Sequence, residues 1–169
     1  MSLSMYQASV PVFIRMLSNL SAILDKAVAQ AEAKKLDLSV LTQSRLAPDM
    51  LPFTFQIQTA TDSVKGCAAR LAGIEIPSFP DTEKTFPELK ARIAKTIDFL
   101  KSVKPEQIDG SEERSVTLKL RSGEVHFTGQ SYLLGFVLPN FFFHVTTAYA
   151  LLRHNGIDIG KQDYIGPNP

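Results

Sequence analysis

The sequence predicts an all-α fold, an up-down four-helix bundle carrying one small β-hairpin between its third and fourth helices. Three observations predict it. In three separate stretches apolar residues recur at alternating steps of three and four, the spacing of a helix with one buried face. A fourth stretch, Tyr132–Asn155, is apolar on more than one helical face and therefore has to be buried. Just before it, apolar and polar residues alternate with period two, the spacing of a strand. Helices with such seams pack near-parallel, at about +20°.

The first helix is read from Leu3, Tyr6, Val10, Phe13, Leu17, Leu20, Leu24, Ala27 and Ala31. Ser4 and Gln7 have the spacing of a capping box. Pro11 removes a backbone donor, so either the helix kinks there or it starts nearer Ser9. The lysine-rich exit leads into a turn-like connection with a candidate N-cap at Asp49. Helix two follows along Met50, Phe53, Ile57, Ala60, Val64, Cys67 and Leu71, with Pro52 in its first turn and Gly73 as its C-cap.

Two prolines make the segment after Gly73 a loop, which ends in Thr85-Phe-Pro-Glu88, again a capping box. Helix three then presents Phe86, Leu89, Ile93, Ile97 and Leu100 to the core and turns Lys90, Arg92, Lys95 and Lys101 to water. Val116, Leu118 and Leu120 on one strand and Val125 and Phe127 on the next, joined by Arg121-Ser122-Gly123, form the hairpin. In the last helix Pro139 predicts a kink and Gly156 a cap. The closing Ile157–Pro169 shows no period and reads as a tail.

A chain of 169 residues fits one domain, residues 1–169. Such a domain buries about 68–70% of its unfolded surface and needs no disulfide or metal to fold. Lys plus Arg number 18 against 17 Asp plus Glu, and this balance gives nucleic acid no basic stripe to bind. The single cysteine, Cys67, excludes an internal disulfide and a cysteine zinc cage. The N-terminus lacks a basic region and a cleavage site, so a cytoplasmic location is expected. Tyr132–Leu152 is long enough to span a bilayer. Pro139, Asn140, His144 and two threonines inside it, with positive charge at one end only, argue for a soluble core helix instead.

Candidate chemistry centres on His144. Leu134, Val137, Phe141, His144, Ala148 and Leu151 share one seam, which points the imidazole into the bundle, where it needs a partner. A structural hydrogen bond and a ligand or acid-base role are both open. Gln56 flanks the helix-two seam within reach of the interior, and Asn140 lies one turn before His144. His154 is ten residues on, about 80° around the helix and about 15 Å along it, so the two histidines cannot share a metal. His154 and Arg153 suit the helix C-terminus. His126 falls on the polar face of its strand, Asp62 is expected in solvent or in a salt bridge, and Cys67 in the core. Nucleophilic triads, phosphate loops and dinucleotide fingerprints are missing from the sequence.

Three stretches, Arg45–Gly73, Thr85–Leu100 and above all LPNFFFHVTTAYALLRHNGIDIGKQDYIG from Leu138 to Gly166, resemble a bacterial family. It is the domain-of-unknown-function family numbered nineteen ninety-three, grouped with the DinB-like, or YfiT-like, superfamily, whose members are described as metalloenzymes. The resemblance implies a DinB-like four-helix bundle, a homodimer, and an ordered tail carrying Gly160, Lys161, Asp163 and Tyr164. Relatives hold a divalent metal with one histidine on helix two and a HxxxH pair on a later helix, and some transfer groups to small thiols.

Aligned on that pattern, His144 matches the first histidine of the pair, the second falls on Ala148, and helix two offers only Gln56 or Gln58. One imidazole and an amide make a weak site for zinc or nickel. The expectation is therefore a degenerate metal site, with His144 its one metal candidate, and a small-ligand pocket of His144, Gln56, Ala148 and Asn140. The alternative is a metal-dependent transferase or hydrolase acting on a thiol-linked substrate, with Asp62 or a partner chain supplying further ligands.

Overall fold

The protein, a computed structural model here, is described over residues 3–120 and 123–167. It is mostly helical, with α1 Val10–Ala33, α2 Leu38–Gln43, α3 Phe53–Ala72, α4 Phe86–Ser102 and α5 Pro105–Ile108. Strands β1 Ser115–Leu120 and β2 Gly123–Thr128 follow, then α6 Gly129–Ser131, a π-helical stretch Tyr132–Val137, α7 Leu138–His154 and α8 Lys161–Ile165. The four long helices share one core. α3 packs on both α7 and α4, and α1 packs on α4 and α7.

The predicted seams are the buried ones. Val10, Phe13, Leu17, Leu20, Leu24, Ala27 and Ala31 of α1 are fully enclosed, as are Phe53, Ile57, Ala60, Val64, Cys67 and Leu71 of α3. α1 starts at Val10 without a kink, because Pro11 lies in the first turn, where its missing N–H has no partner to lose. Leu3, ahead of that start, is exposed. The Ser4–Gln7 pair does close, Ser4 N–H on Gln7 Oε1 and Gln7 N–H on Ser4 Oγ, but on a turn preceding the helix.

Two expectations about the connection are corrected. Asp49 is not the cap of α3: Pro52 occupies the N-cap position and the helix begins at Phe53, since a residue preceding proline is pushed out of the helical region. Asp37 is the cap instead, accepting from Ser39 N–H to start α2 inside the turn-like connection. The Thr85–Glu88 capping box opens α4 as expected. Gly73 and Gly156 close α3 and α7 with φ of 67° and 81°, conformations that a side chain disfavours.

The hairpin pairs Val116 with Phe127 and Leu118 with Val125. Val116 and Leu118 are buried, and Phe127 packs its ring on Tyr132 and Phe136. The turn residues Arg121 and Ser122 lie outside the described residues. The irregularity expected at Pro139 falls one turn earlier, in the π-helical stretch. Its wider turn swings Leu134 off the seam, leaving it 50% exposed, while Tyr132, Leu133 and Val137 go in.

The described part of the tail, residues 157–167, packs on the fold, as the family resemblance implied. Ile157 and Ile159 are buried, Asn19 Nδ2 donates to the Tyr164 and Ile165 carbonyls, Arg15 donates to the Ile165 and Pro167 carbonyls, and Lys26 pairs with Asp163. Part of this segment is helical, as α8, which its lack of apolar period concealed. Gly129–His154 is the one helical run, among the described residues, long and apolar enough to cross a membrane. Its Phe141, Val145, Ala148, Leu151 and Leu152 are buried in the protein's own core.

Candidate functional site

α3 and α7 lie side by side and bring together two of the residues singled out by sequence. Gln56 is buried in the first turn of α3, and His144, 9% exposed, faces it from the middle of α7. His144 Nδ1 is 2.8 Å from Gln56 Oε1. Gln56 Nε2 in turn donates to the Leu51 carbonyl at 2.9 Å. Phe55 and Phe143 stand edge-on to the imidazole, at 6.2 Å and 5.2 Å between ring centres. Burial among these groups holds the His144 pKa below its ordinary value, so the ring is neutral at physiological pH.

The other named residues divide. Ala148 is fully buried one turn beyond His144 and brings only a methyl group. Asn140 turns away from the imidazole and donates to Ser63 Oγ at 2.7 Å. His126 is exposed on β2, sharing a hydrogen bond with Thr117, and His154 is exposed near the end of α7. Cys67 is sealed in the core, where burial pushes its thiol far up against the opposing Arg70 charge. It is inert.

A second polar cluster escapes the sequence reading, and Arg92 corrects it. Expected in water, its side chain is 1% exposed and sits between α3 and the Gly73–Thr85 connection. Nε donates to Thr61 Oγ1 at 2.7 Å, and Nη1 reaches the Pro80 carbonyl, Asp81 and both oxygens of Glu83. Nη2 lies 2.9 Å from Asp62 Oδ1 without the angle of a hydrogen bond, so that contact is one of charge alone. Lys65, also buried, pairs with Asp62 and stands over the Phe79 ring at 4.2 Å, and Lys95 stands over the same ring at 4.1 Å. For Glu83, burial works to raise the pKa, but bonds from Gln58 and Arg92 outweigh it and hold the carboxyl below its usual range. Arg92 comes three residues after Leu89, on the flank of the seam, a position that by spacing alone can face either water or a neighbouring element.

The model of the family described as Domain of unknown function (DUF1993) matches residues 5–165. The chain belongs to the DUF1993 family. A solved structure of a DinB family member protein from Shewanella denitrificans superposes with a TM-score of 0.89 at 39% sequence identity, covering 97% of this chain and 93% of that one. This DUF1993 chain is thus DinB-like in fold as well as in sequence. A search of curated proteins found no match.

The divalent metal implied by DinB-like relatives does not fit the residues present. Among the described residues no three His, Cys, Asp or Glu side chains are placed to hold one metal ion. At the aligned position the donors are one imidazole and an amide whose oxygen and nitrogen are both already bonded, with the methyl of Ala148 where a third ligand would be needed. The acids around Arg92 are neutralised by a guanidinium and an ammonium, which repel a cation.

Proposed function

We propose that this DUF1993 protein is a soluble, cytoplasmic, up-down four-helix bundle of DinB type that binds a small ligand at His144 without a metal. The observation that carries the reading is the donor set: across the α3–α7 interface His144 meets only the Gln56 amide, and Ala148 brings a methyl group where a further ligand would be needed. A neutral imidazole, enclosed by two aromatic rings and still 9% exposed, suits a small uncharged molecule. Elemental analysis of protein purified without a metal-affinity tag is expected to find no stoichiometric metal, and added zinc or nickel should leave the melting temperature unchanged. Near-stoichiometric metal would overturn the reading in favour of a metal-dependent transferase or hydrolase.

His144→Ala tests the same pair. Gln56 Oε1 would lose its donor inside the core, a loss on the order of 1–3 kcal/mol in chemical denaturation. His144→Phe keeps volume but not polarity and should fail to restore stability. A change below about 0.5 kcal/mol would place His144 among ordinary surface residues and remove the site.

The partner is a second copy of the chain. From Ser131 to Leu152 the sequence holds no Asp, Glu, Lys or Arg. Of the apolar residues outside the Leu134–Leu151 seam, Val145 and Leu152 are buried within the monomer, and Phe136 and Phe142 are partly covered. Leu134 and Phe143 remain 50% and 55% exposed, and Phe142 and Phe143 line a groove of about 390 Å³ with Leu46, Thr146 and Thr147. An uncharged face of this kind is most often covered by two-fold pairing. Light scattering at low micromolar concentration is expected to give a dimer, and a stable 18.7 kDa monomer would sink it.

A further inference from the structure

The hydrogen-bond chain behind His144 fixes which of its nitrogens can meet a ligand. A backbone carbonyl only accepts, so the Gln56 atom facing Leu51 O at 2.9 Å is the amide nitrogen. The atom facing His144 at 2.8 Å is then Oε1, which also only accepts. Nδ1 must therefore carry the ring proton and donate it. In a neutral imidazole this leaves Nε2 with a lone pair and no proton. Nε2 has no hydrogen-bond partner among the described residues.

We infer that His144 presents Nε2 as a hydrogen-bond acceptor, and that the ligand is a neutral molecule with an O–H or N–H donor on an apolar, flat body. The inference rests on the reading of His144 as a small-ligand site and adds the polarity of the ligand to it. A donor can reach Nε2, whereas an anion or a bare carbonyl would face lone pair against lone pair. The rings of Phe55 and Phe143, both edge-on to the imidazole, supply apolar contact for the body of such a ligand. The Leu51 carbonyl, on the connection between α2 and α3, is the positioning group: it orients the amide, which orients the imidazole.

Nitrogen-15 spectra of histidine-labelled full-length protein, at a pH above the His144 titration, read the tautomer directly. The expected result is a protonated Nδ1 and an unprotonated Nε2. Phenol and anisole then serve as probes of nearly equal shape, one with a donor and one without. Phenol should shift the Nε2 resonance and bind roughly tenfold tighter than anisole, the worth of one neutral hydrogen bond near 1.4 kcal/mol. In Gln56→Leu the tautomers should mix and the preference for phenol should shrink.

A protonated Nε2 in the free protein would overturn the inference while leaving a ligand site at His144 intact. Equal binding of both probes with Nε2 unmoved would do the same. If neither probe perturbs His144 at millimolar concentration, the small-ligand reading itself falls, and the inference with it.

Discussion

Arg92→Ala is expected to destabilise the fold by about 3 kcal/mol, the lower end of the cost of removing one partner from a buried ion cluster. The lower end applies because the acids are unequally enclosed: the Glu83 side chain is 12% exposed, whereas Asp62 and Asp81 keep 39% and 58%. Asp62 and Asp81 can rehydrate after the substitution; Glu83 and the Thr61 hydroxyl cannot do so fully. The Gly73–Thr85 connection would lose its anchor on α4 at the same time, so protease cleavage within it should rise before global unfolding. Chemical denaturation measures the first effect and limited proteolysis the second. A loss below about 1 kcal/mol would rank the cluster with surface pairs.

The cluster also has a pH signature. Glu83 is held below its ordinary value of 4.5, so its contribution is fully present above that pH and is lost as the pH falls through the lower, folded value. Wild-type stability should therefore drop on the acid side, and the Arg92→Ala variant should show a flatter acid limb.

Arg92 marks the limit of what the sequence could yield. Periodicity identifies which apolar residues face inward, and Phe13, Ile57, Leu89 and Phe141 all lie where a three-four seam puts them. A buried arginine has no periodic signature of its own. Its burial depends on Asp81 and Glu83, which come from a proline-rich loop whose path no local pattern fixes. His144 was legible because it lies on a seam of its helix, and Gln56 because it flanks another. The distance between them, and the Leu51 carbonyl that orients the amide, required the packing of α3 on α7. Leu134 was misplaced for a further reason: a π-helical turn breaks the 3.6-residue period that defines the seam. Asp49 failed as a cap because Pro52 sets the helix start by sterics that outrank capping preference.

Phe141→Ala is expected to have the largest effect of all, about 3–5 kcal/mol, because it removes a whole ring from a site that cannot collapse. Phe141 is fully buried on α7, with its ring edge-on to Phe13 of α1 at 5.5 Å between centres. α7 is thus held from two sides, by Phe141 against α1 and by His144 against Gln56 of α3. The midpoint of denaturation should fall with an unchanged slope, since the surface exposed on unfolding hardly alters. A loss under about 1.5 kcal/mol, the range of volume-conserving swaps, would mean that α7 can settle onto α1 and that the core is looser than its packing shows. Phe143→Ala is the matched control, the same side chain two residues on but 55% exposed. Its effect on monomer stability should stay within about 0.5 kcal/mol, and its effect on self-association should be large. If Phe143→Ala instead leaves light scattering unchanged while Phe141→Ala unfolds the chain, the exposed face of α7 does not carry the proposed self-association.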